Sequence, residues 1–354
     1  YFAFIRNPLT NEKGENTSAI FGFFRTLFSL LQKYDPPYVC IALDSLTPTF
    51  RHEQYAEYKS TREKAPDDLK SQIPHIEEIL EAMGVSMIRV NGYEADDIMA
   101  AFARKCREQG RPCYIVSGDK DLLQLVDESV TVLVSEKSDY REMDRKEVYN
   151  KLSVYPEQIR DYLALTGDSA DNIPGVKGIG PKTAAQLLET YETLENIYEH
   201  LDELPAGQRK KLEENKENGF LSKQLVCLAA EVPLPVAIEE MDKDRLDLQA
   251  AVPLFLEHGI RSIAEELGGK KAVEKKTEVK TERGTYTTVL TTSELDRWIE
   301  MVRENEWFAF DVETDNIDSL VASPVGFSIS VRSGEACYIP IKATGAKGLS
   351  VDIV

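Results

Sequence analysis

The sequence is short of the residues that build redox or covalent chemistry. Its five cysteines, Cys40, Cys106, Cys113, Cys227 and Cys337, are scattered, odd in number and never in CxxC spacing. That pattern excludes a disulfide framework, argues against a zinc site and fits a reducing compartment. The four histidines, His52, His75, His200 and His258, are equally dispersed, and no Ser-His-Asp or Cys-His set competes for a catalytic role. No apolar run approaches the ~18 residues of a membrane span, and no signal-peptide pattern opens the chain, so a soluble cytoplasmic protein is expected. Positive charge is also in deficit, with 42 lysines and arginines against 61 acids and a net charge of −19. A histone-like protein that coats polyanions is thereby excluded. Nucleic acid as such is not, because local charge placement outweighs the sum. Carboxylates that bind metal ions also raise an acidic count without repelling a substrate once the metal is bound.

Aromatics make up only 8% of the chain, yet 42% of its 354 residues are apolar, enough to bury a sizeable core and too long for one ordinary domain. Helical spacing of Ile20, Phe23, Phe24, Leu27, Leu30 and Leu31 predicts an amphipathic helix over 19–31. Apolar runs at 38–43, 85–90, 113–116 and 130–134 predict strands, with a helix over 94–108 between the second and third. Strand and helix in alternation imply a parallel α/β sheet, in which functional groups gather beyond the carboxyl ends of the strands. After Tyr155 the β signal stops and helices separated by Gly and Pro run to about Leu267. The stretch 268–284 is charged, without large apolar anchors, and reads as a linker. New strand signals follow, and 285–354 reads as the start of a second unit. The expected division is therefore a sheet domain at 1–155, a helical part at 156–267, the linker, and that unit. The first residue is Tyr1 rather than Met, and truncation at that end is expected.

Asp44 and two of three acidic motifs sit at or just after the expected strand ends, and the third falls in the helical part. In Tyr93-Glu-Ala-Asp-Asp97, Glu94 and Asp97 share a helix face with Asp96 beside them, favoured by the positive end of the helix dipole. Alone, this reads more readily as an ordinary acidic first turn. Ser117-Gly-Asp-Lys-Asp121 places Asp119 and Asp121 after the third strand, and Thr166-Gly-Asp-Ser-Ala-Asp-Asn172 repeats the i, i+3 spacing with Asp168 and Asp171. The last is also a common turn composition. With Asp44, the set numbers eight carboxylates. Such a cluster repels itself unless cations neutralise it. All-oxygen ligands suit Mg²⁺ or Mn²⁺, and two such ions about 4 Å apart are the standard device for phosphodiester hydrolysis.

Directly after Asp171 runs Ile173-Pro-Gly-Val-Lys-Gly-Ile-Gly-Pro-Lys-Thr-Ala184. Gly175, Gly178 and Gly180 allow close backbone approach, and Pro181-Lys-Thr opens a helix whose free amides can hold a phosphate without reading a base. No strand precedes it, so it is not a dinucleotide fingerprint; it looks like a helix-hairpin-helix duplex-binding element. Its candidate DNA contacts are Gly175, Lys177, Gly178, Ile179, Gly180, Lys182 and Thr183. A second segment, 50–64, interleaves Arg51, Lys59, Arg62 and Lys64 with Tyr55 and Tyr58. It suits stacking and phosphate clamping on single-stranded DNA, with Arg51 among the DNA contacts, or it is a solvated helix.

In Phe50-Arg-His-Glu53, Tyr58-Lys-Ser-Thr-Arg62, the three acidic motifs and the glycine-rich run, taken in this order, the sequence resembles the 5′-nuclease family, in the form that makes the N-terminal domain of bacterial DNA polymerase I. The resemblance covers Tyr1 to about Leu267. It implies a PIN-like α/β core with a helical arch and a helix-hairpin-helix subdomain. It implies that Glu94, Asp96, Asp97, Asp119, Asp121, Asp168 and Asp171 hold two divalent ions directly or through water, with Asp44 a further active-site acid. Lys59 and Arg62 are implied as arch cations gripping the scissile phosphate. The glycine-rich element is implied to hold downstream duplex, with K⁺ on its carbonyls. The family begins with a strand ending in Asp-Gly, which supplies another acid; that strand is not in this chain. The second unit, through Phe308-Ala-Phe-Asp-Val-Glu-Thr-Asp315, resembles the start of a ribonuclease H-like 3′–5′ exonuclease domain, with Asp311 and Glu313 as metal ligands. The activity implied is removal of 5′ flaps and primers from DNA in replication and repair by a monomer near the bacterial nucleoid. Two readings stand beside it. One is a small RNA-cleaving nuclease, which would lack Gly178-Ile-Gly180 and the arch segment. The other is a non-catalytic DNA-binding module, which would have little reason to keep eight clustered acids.

Overall fold

The computed structural model describes residues 8–62, 64–136, 139–229, 231–268, 285–305, 307–315 and 323–341. They fall into two units, Tyr1–Gly269 and Lys270–Val354. Most of the expected linker, 269–284, lies outside the described residues, as do 1–7.

In the first unit, helix α1 (Ser18–Tyr34) buries Ile20, Phe24, Leu27 and Phe28 along one face and ends where Asp35 turns left-handed at φ 41°. Phe24 meets Phe255 edge-on at 5.0 Å between ring centroids, tying α1 to the far end of the unit's chain. Strand β1 (Cys40–Leu43) leads through the short helices α2 (Phe50–Gln54) and α3 (Asp67–Lys70) and the longer α4 (Ile73–Ala82) to β2 (Ser86–Arg89). β1 and β2 pair in parallel, Leu43 opposite Arg89, so both strands deliver their carboxyl ends to one edge. Helix α5 (Ala95–Glu108) returns the chain to β3 (Cys113–Val116), which pairs in parallel with β4 (Val130–Glu136).

β5 (Asp139–Met143), which sequence periodicity did not reveal, adds antiparallel to β4. Its alternation is masked by charge: Asp139, Arg141 and Glu142 are exposed, and only Met143 is buried. The expected parallel sheet is thus found as two ladders, β1-β2 and β3-β4-β5, the second of mixed sense. α5 packs on β1, β2 and β3 and so bridges both. Buried Ile98, Ala101 and Phe102 of α5 join Ile88 of β2, while Ala103 joins Ile115, Val130 and Val132. A helix with apolar residues on two flanks can serve two sheets at once.

Helices α6 (Arg145–Leu152), α7 (Ile159–Thr166), α8 (Pro181–Tyr191), α9 (Leu194–Glu199), α10 (Ala206–Glu214) and α11 (Lys216–Leu225) follow, and α12 (Val252–Glu257) and α13 (Arg261–Gly268) close the unit. α7 packs on α8 and α11. Its loop to α8 carries the glycine-rich run. Gly167 and Gly175 have φ of 71° and 62°, and a Cβ on Gly175 would lie 2.4 Å from the Gly167 nitrogen. Backbone meets backbone there, which only glycine permits.

The second unit holds β6 (Thr285–Thr288), α14 (Thr292–Glu304), β7 (Ala309–Thr314), β8 (Pro324–Arg332) and β9 (Glu335–Pro340), with sheet order β6-β9-β8-β7. Thr291 caps α14 by accepting from the Glu294 backbone N–H, and Leu295 and Trp298 of that helix pack on Val331, Cys337 and Ile339.

Candidate active site

The acids converge because each follows a strand or turn that ends at the same edge. Asp44 lies one residue beyond β1, and its Oδ1 accepts from the Ala95 N–H at 2.9 Å, binding the end of β1 to the first turn of α5. Glu94 is the N-cap residue of α5 and is buried. Asp119 follows β3 and accepts from the Asp121 N–H at 2.9 Å, which opens a short 3₁₀ turn over Asp121–Leu125. Asp168 and Asp171 come from the loop after α7, held by the reciprocal backbone pair between Asp168 and Ile173 at 2.9 and 2.7 Å.

Their electrostatics report crowding. Burial first, then repulsion from Asp119, pushes the Asp96 carboxyl up to about 7, with Glu94 and Asp44 adding and Lys59 opposing. Burial, then Asp119 and Asp168, pushes Asp121 up to about 8, with Lys120 opposing. Asp121 Oδ1 is buried without a hydrogen-bond partner. A buried, unpartnered carboxylate oxygen among like charges is costly unless a proton or a cation offsets it. Among the described residues, no three acidic or imidazole side chains converge closely enough to hold one ion as they stand. At Glu94 and Asp171 the carboxylate oxygens are taken by the chain's own donors. Lys59 Nζ lies 2.6 Å from Glu94 Oε1 and 3.7 Å from Asp171 Oδ2. Arg62 donates through Nε at 2.9 Å and lies 2.6 Å away through Nη2, both to Asp171 Oδ1. Tyr58 donates its hydroxyl to Glu94 Oε2 at 3.0 Å and Asp171 Oδ2 at 3.3 Å. Burial, then the charges of Glu94 and Asp171, raises the Tyr58 hydroxyl above its ordinary range, so it stays a donor. Lys120 Nζ, 3.4 Å from Asp168 Oδ2, adds a cation that the sequence reading passed over inside its own acidic motif.

Several expectations change at this level. Arg51, expected among the DNA contacts, is 1% exposed. Its guanidinium forks onto Asp97 at 2.7 and 2.8 Å and donates to the carbonyls of Leu225 and Cys227 at 2.8 and 2.9 Å. Asp97 is fully buried, and each of its oxygens accepts two donors, the second being the Ala229 N–H at 2.8 Å or the Glu94 N–H at 3.1 Å. Its lone pairs are spent on protein, so it reaches the other acids through Glu94. The segment after Gln54 is not a continuous helix. Lys59 sits at φ 55°, its N–H bonded to the Asp171 carbonyl at 2.9 Å, and Asn172 Nδ2 holds the Glu57 carbonyl at 2.8 Å. Lys59 and Arg62 still point the same way, because both are docked on the 168–173 turn. Tyr58, expected to stack on bases, is buried beneath the acids instead.

In the glycine-rich element, Lys177, Gly178, Gly180 and Lys182 are exposed and Thr183 is partly so, whereas Ile179 and Gly175 are buried. Ile179 belongs to the core, and Gly175 serves the backbone crossing, its N–H bonded to Ser222 Oγ at 2.9 Å. Gly180 is the N-cap of α8, with Pro181 in the first turn. Lys211 Nζ donates to the Gly178 carbonyl at 3.0 Å. In the second unit, Asp311 and Glu313 lie on β7, both exposed.

Acids gathered at the mouth of an α/β sheet, followed by a helical part with an exposed glycine-rich turn, are the arrangement of a nuclease. Profiles of the 5'-3' exonuclease match here: its N-terminal resolvase-like domain over residues 1–153 and its C-terminal SAM fold over 154–249. A 3'-5' exonuclease profile matches 286–349. A 5'-3' exonuclease of Aquifex aeolicus is 41% identical over 260 residues, covering 73% of this chain and 88% of that protein. The chain belongs to the 5'-3' exonuclease family. A DNA polymerase I of Borreliella burgdorferi is 38% identical over 357 residues, covering 96% of this chain and 39% of that protein, so the chain spans about two fifths of such relatives. A bacteriophage T5 flap endonuclease, solved as a pseudo-enzyme-product complex with DNA and metal ions, shares the fold at a TM-score of 0.50 and 21% identity, covering 72% of this chain and 89% of that one.

Proposed function

We propose that this chain is a structure-specific 5′ nuclease acting on DNA, hydrolysing phosphodiesters at 5′ flaps, nicks and primer ends with the help of two divalent ions, Mg²⁺ or Mn²⁺. The observation that carries the reading is Asp121 Oδ1, buried without a partner among acids that repel one another. Glu94, Asp96, Asp119, Asp121, Asp168 and Asp171 would hold the metals, with Asp44 beside them and Asp97 fixing Glu94. Bound divalent ions at such a site activate water and stabilise the departing oxygen. The chain's own contribution is positional. The Arg51–Asp97 pair fixes the start of α5, and the 168–173 turn sets Asp171 against Lys59 and Arg62 and Asp168 against Lys120. Those two cations suit a scissile phosphate, whose charge grows toward the transition state. Exposed Lys177, Gly178, Gly180 and Lys182 at the start of α8 suit a duplex phosphate, and K⁺ on the nearby carbonyls would favour it further. Asp311 and Glu313 would be metal ligands of a 3′–5′ proofreading site. The protein would act as a monomer in the bacterial cytoplasm, at the nucleoid.

A 5′-labelled flap substrate with and without Mg²⁺ tests the central claim. Mg²⁺-dependent release of the flap by the wild-type chain, lost in Asp119→Asn while DNA binding persists, supports it. DNA binding without cleavage would favour the non-catalytic module instead.

A further inference from the structure

We propose that Lys59 is an internal stand-in for a divalent cation: its ammonium occupies Glu94 in the metal-free chain, and a divalent ion has to displace it before Glu94 can become a ligand. The inference deepens the two-metal reading above and rests on it. Both oxygens of Glu94 are engaged, Oε1 by Lys59 at 2.6 Å and Oε2 by Tyr58 at 3.0 Å, with Arg51 Nη1 at 3.4 Å. A dication on the same carboxylate would sit within about 4 Å of the ammonium, and two positive charges so close in a partly dry site repel strongly. One of them has to leave, and Lys59, on its flexible stem, is the one that can.

The contact is not a loose surface pair. The Lys59 side chain is 18% exposed and that of Glu94 8%. The ammonium also lies 5.0 Å from the centre of the Tyr58 ring. Beneath it the backbone is fixed by Lys59 N–H on the Asp171 carbonyl at 2.9 Å, at a left-handed φ of 55° that lysine adopts only under constraint. Arg62 on Asp171 and Asn172 on Glu57 dock the rest of residues 57–62 on the same turn. Lys59 is also the cation that partly offsets repulsion at Asp96. Displacement therefore does two things at once: it opens Glu94, and it releases an ammonium beside the place where a phosphate would arrive. Metal loading and substrate grip become coupled through one side chain.

The test measures Mn²⁺ binding to the whole chain without DNA, by calorimetry or by the paramagnetic resonance of free Mn²⁺. Lys59→Met keeps the stem and removes the charge, Lys59→Arg keeps the charge, and Lys64→Ala removes an exposed cation of the same segment. Lys59→Met is expected to bind Mn²⁺ about tenfold more tightly than wild type, the worth of one charge-assisted hydrogen bond. Lys59→Arg should stay near wild type, and Lys64→Ala should not change. Equal or weaker binding by Lys59→Met overturns the proposal, and an equal gain in Lys64→Ala overturns it in favour of a general charge effect. A second measurement needs no variant. In wild-type chain labelled at lysine, saturating Mg²⁺ should shift the side-chain resonance of Lys59, and an unmoved resonance while Mg²⁺ binds refutes displacement. If no variant binds Mn²⁺ at all, the two-metal reading fails and takes the displacement with it, an outcome distinct from binding that is indifferent to Lys59.

Discussion

Replacing Arg51 with methionine should unfold this protein far more readily than its place in a stretch of surface-like, charged sequence suggests. Arg51 is 1% exposed and Asp97 0%, and the guanidinium fork supplies two of the four donors that the carboxylate accepts. Truncation leaves Asp97 buried and half-satisfied, and it strips donors from the carbonyls of Leu225 and Cys227. Breaking a buried pair from one side costs about 3–5 kcal/mol. In a unit of this size each kcal/mol moves Tm by ~2–4 °C, so a fall of roughly 6–20 °C is expected. Circular dichroism in heat and in urea measures it, and the double variant Arg51→Met with Asp97→Leu should recover much of the loss, because the stranded charge is gone. A change within ~0.5 kcal/mol, the range of an ordinary surface substitution, combined with weakened DNA binding would refute the reasoning and return Arg51 to the DNA-facing surface.

Three further outcomes are expected. Without metal, stability should rise as pH is lowered from about 8 toward 5: Asp96 and Asp121 titrate near 7 and 8 in the fold against 3.8 unfolded, so between these limits the folded state binds more protons than the unfolded one. Saturating Mg²⁺ should flatten that slope, and a Tm in EDTA that stays level or rises with pH would contradict it. Gly175→Ala should cost about 2–4 kcal/mol in urea unfolding, since a Cβ 2.4 Å from the Gly167 nitrogen adds a backbone clash to a left-handed φ of 62°; a loss under ~1 kcal/mol would show that the crossing yields easily. Lys182→Ala should weaken duplex binding equally for all sequences and lower the salt slope by about 1, and a sequence-dependent loss would make the glycine-rich turn a base reader.

Strand and helix alternation, the amphipathic stripe of α1, and acids placed just after apolar runs were all legible in the sequence, because periods of two and 3.6 and the positions of strand ends are local properties. Asp44 and the acids of the three motifs could be grouped because they share one sign, and Asp44, Glu94 and Asp119 also share one place relative to their strands. β5 was not legible, since a charged edge strand shows no alternation of its own. The segment 50–62 shows most clearly where local reading ends. Its arginine, tyrosine and lysine look alike on paper as exposed cations and rings, yet the fold buries Arg51 against Asp97, slides Tyr58 under Glu94 and Asp171, and turns Lys59 left-handed onto Glu94. Partners 35 to 113 residues away set those roles. The sequence alone determined which residue types were available and near which strand ends they would fall. Only the tertiary structure decided which carboxylates are neutralised by the chain itself and which, like Asp121, keep a buried oxygen without a partner. Desolvation and pairing depend on what packs around a charge, and that packing is made by segments far apart in the chain.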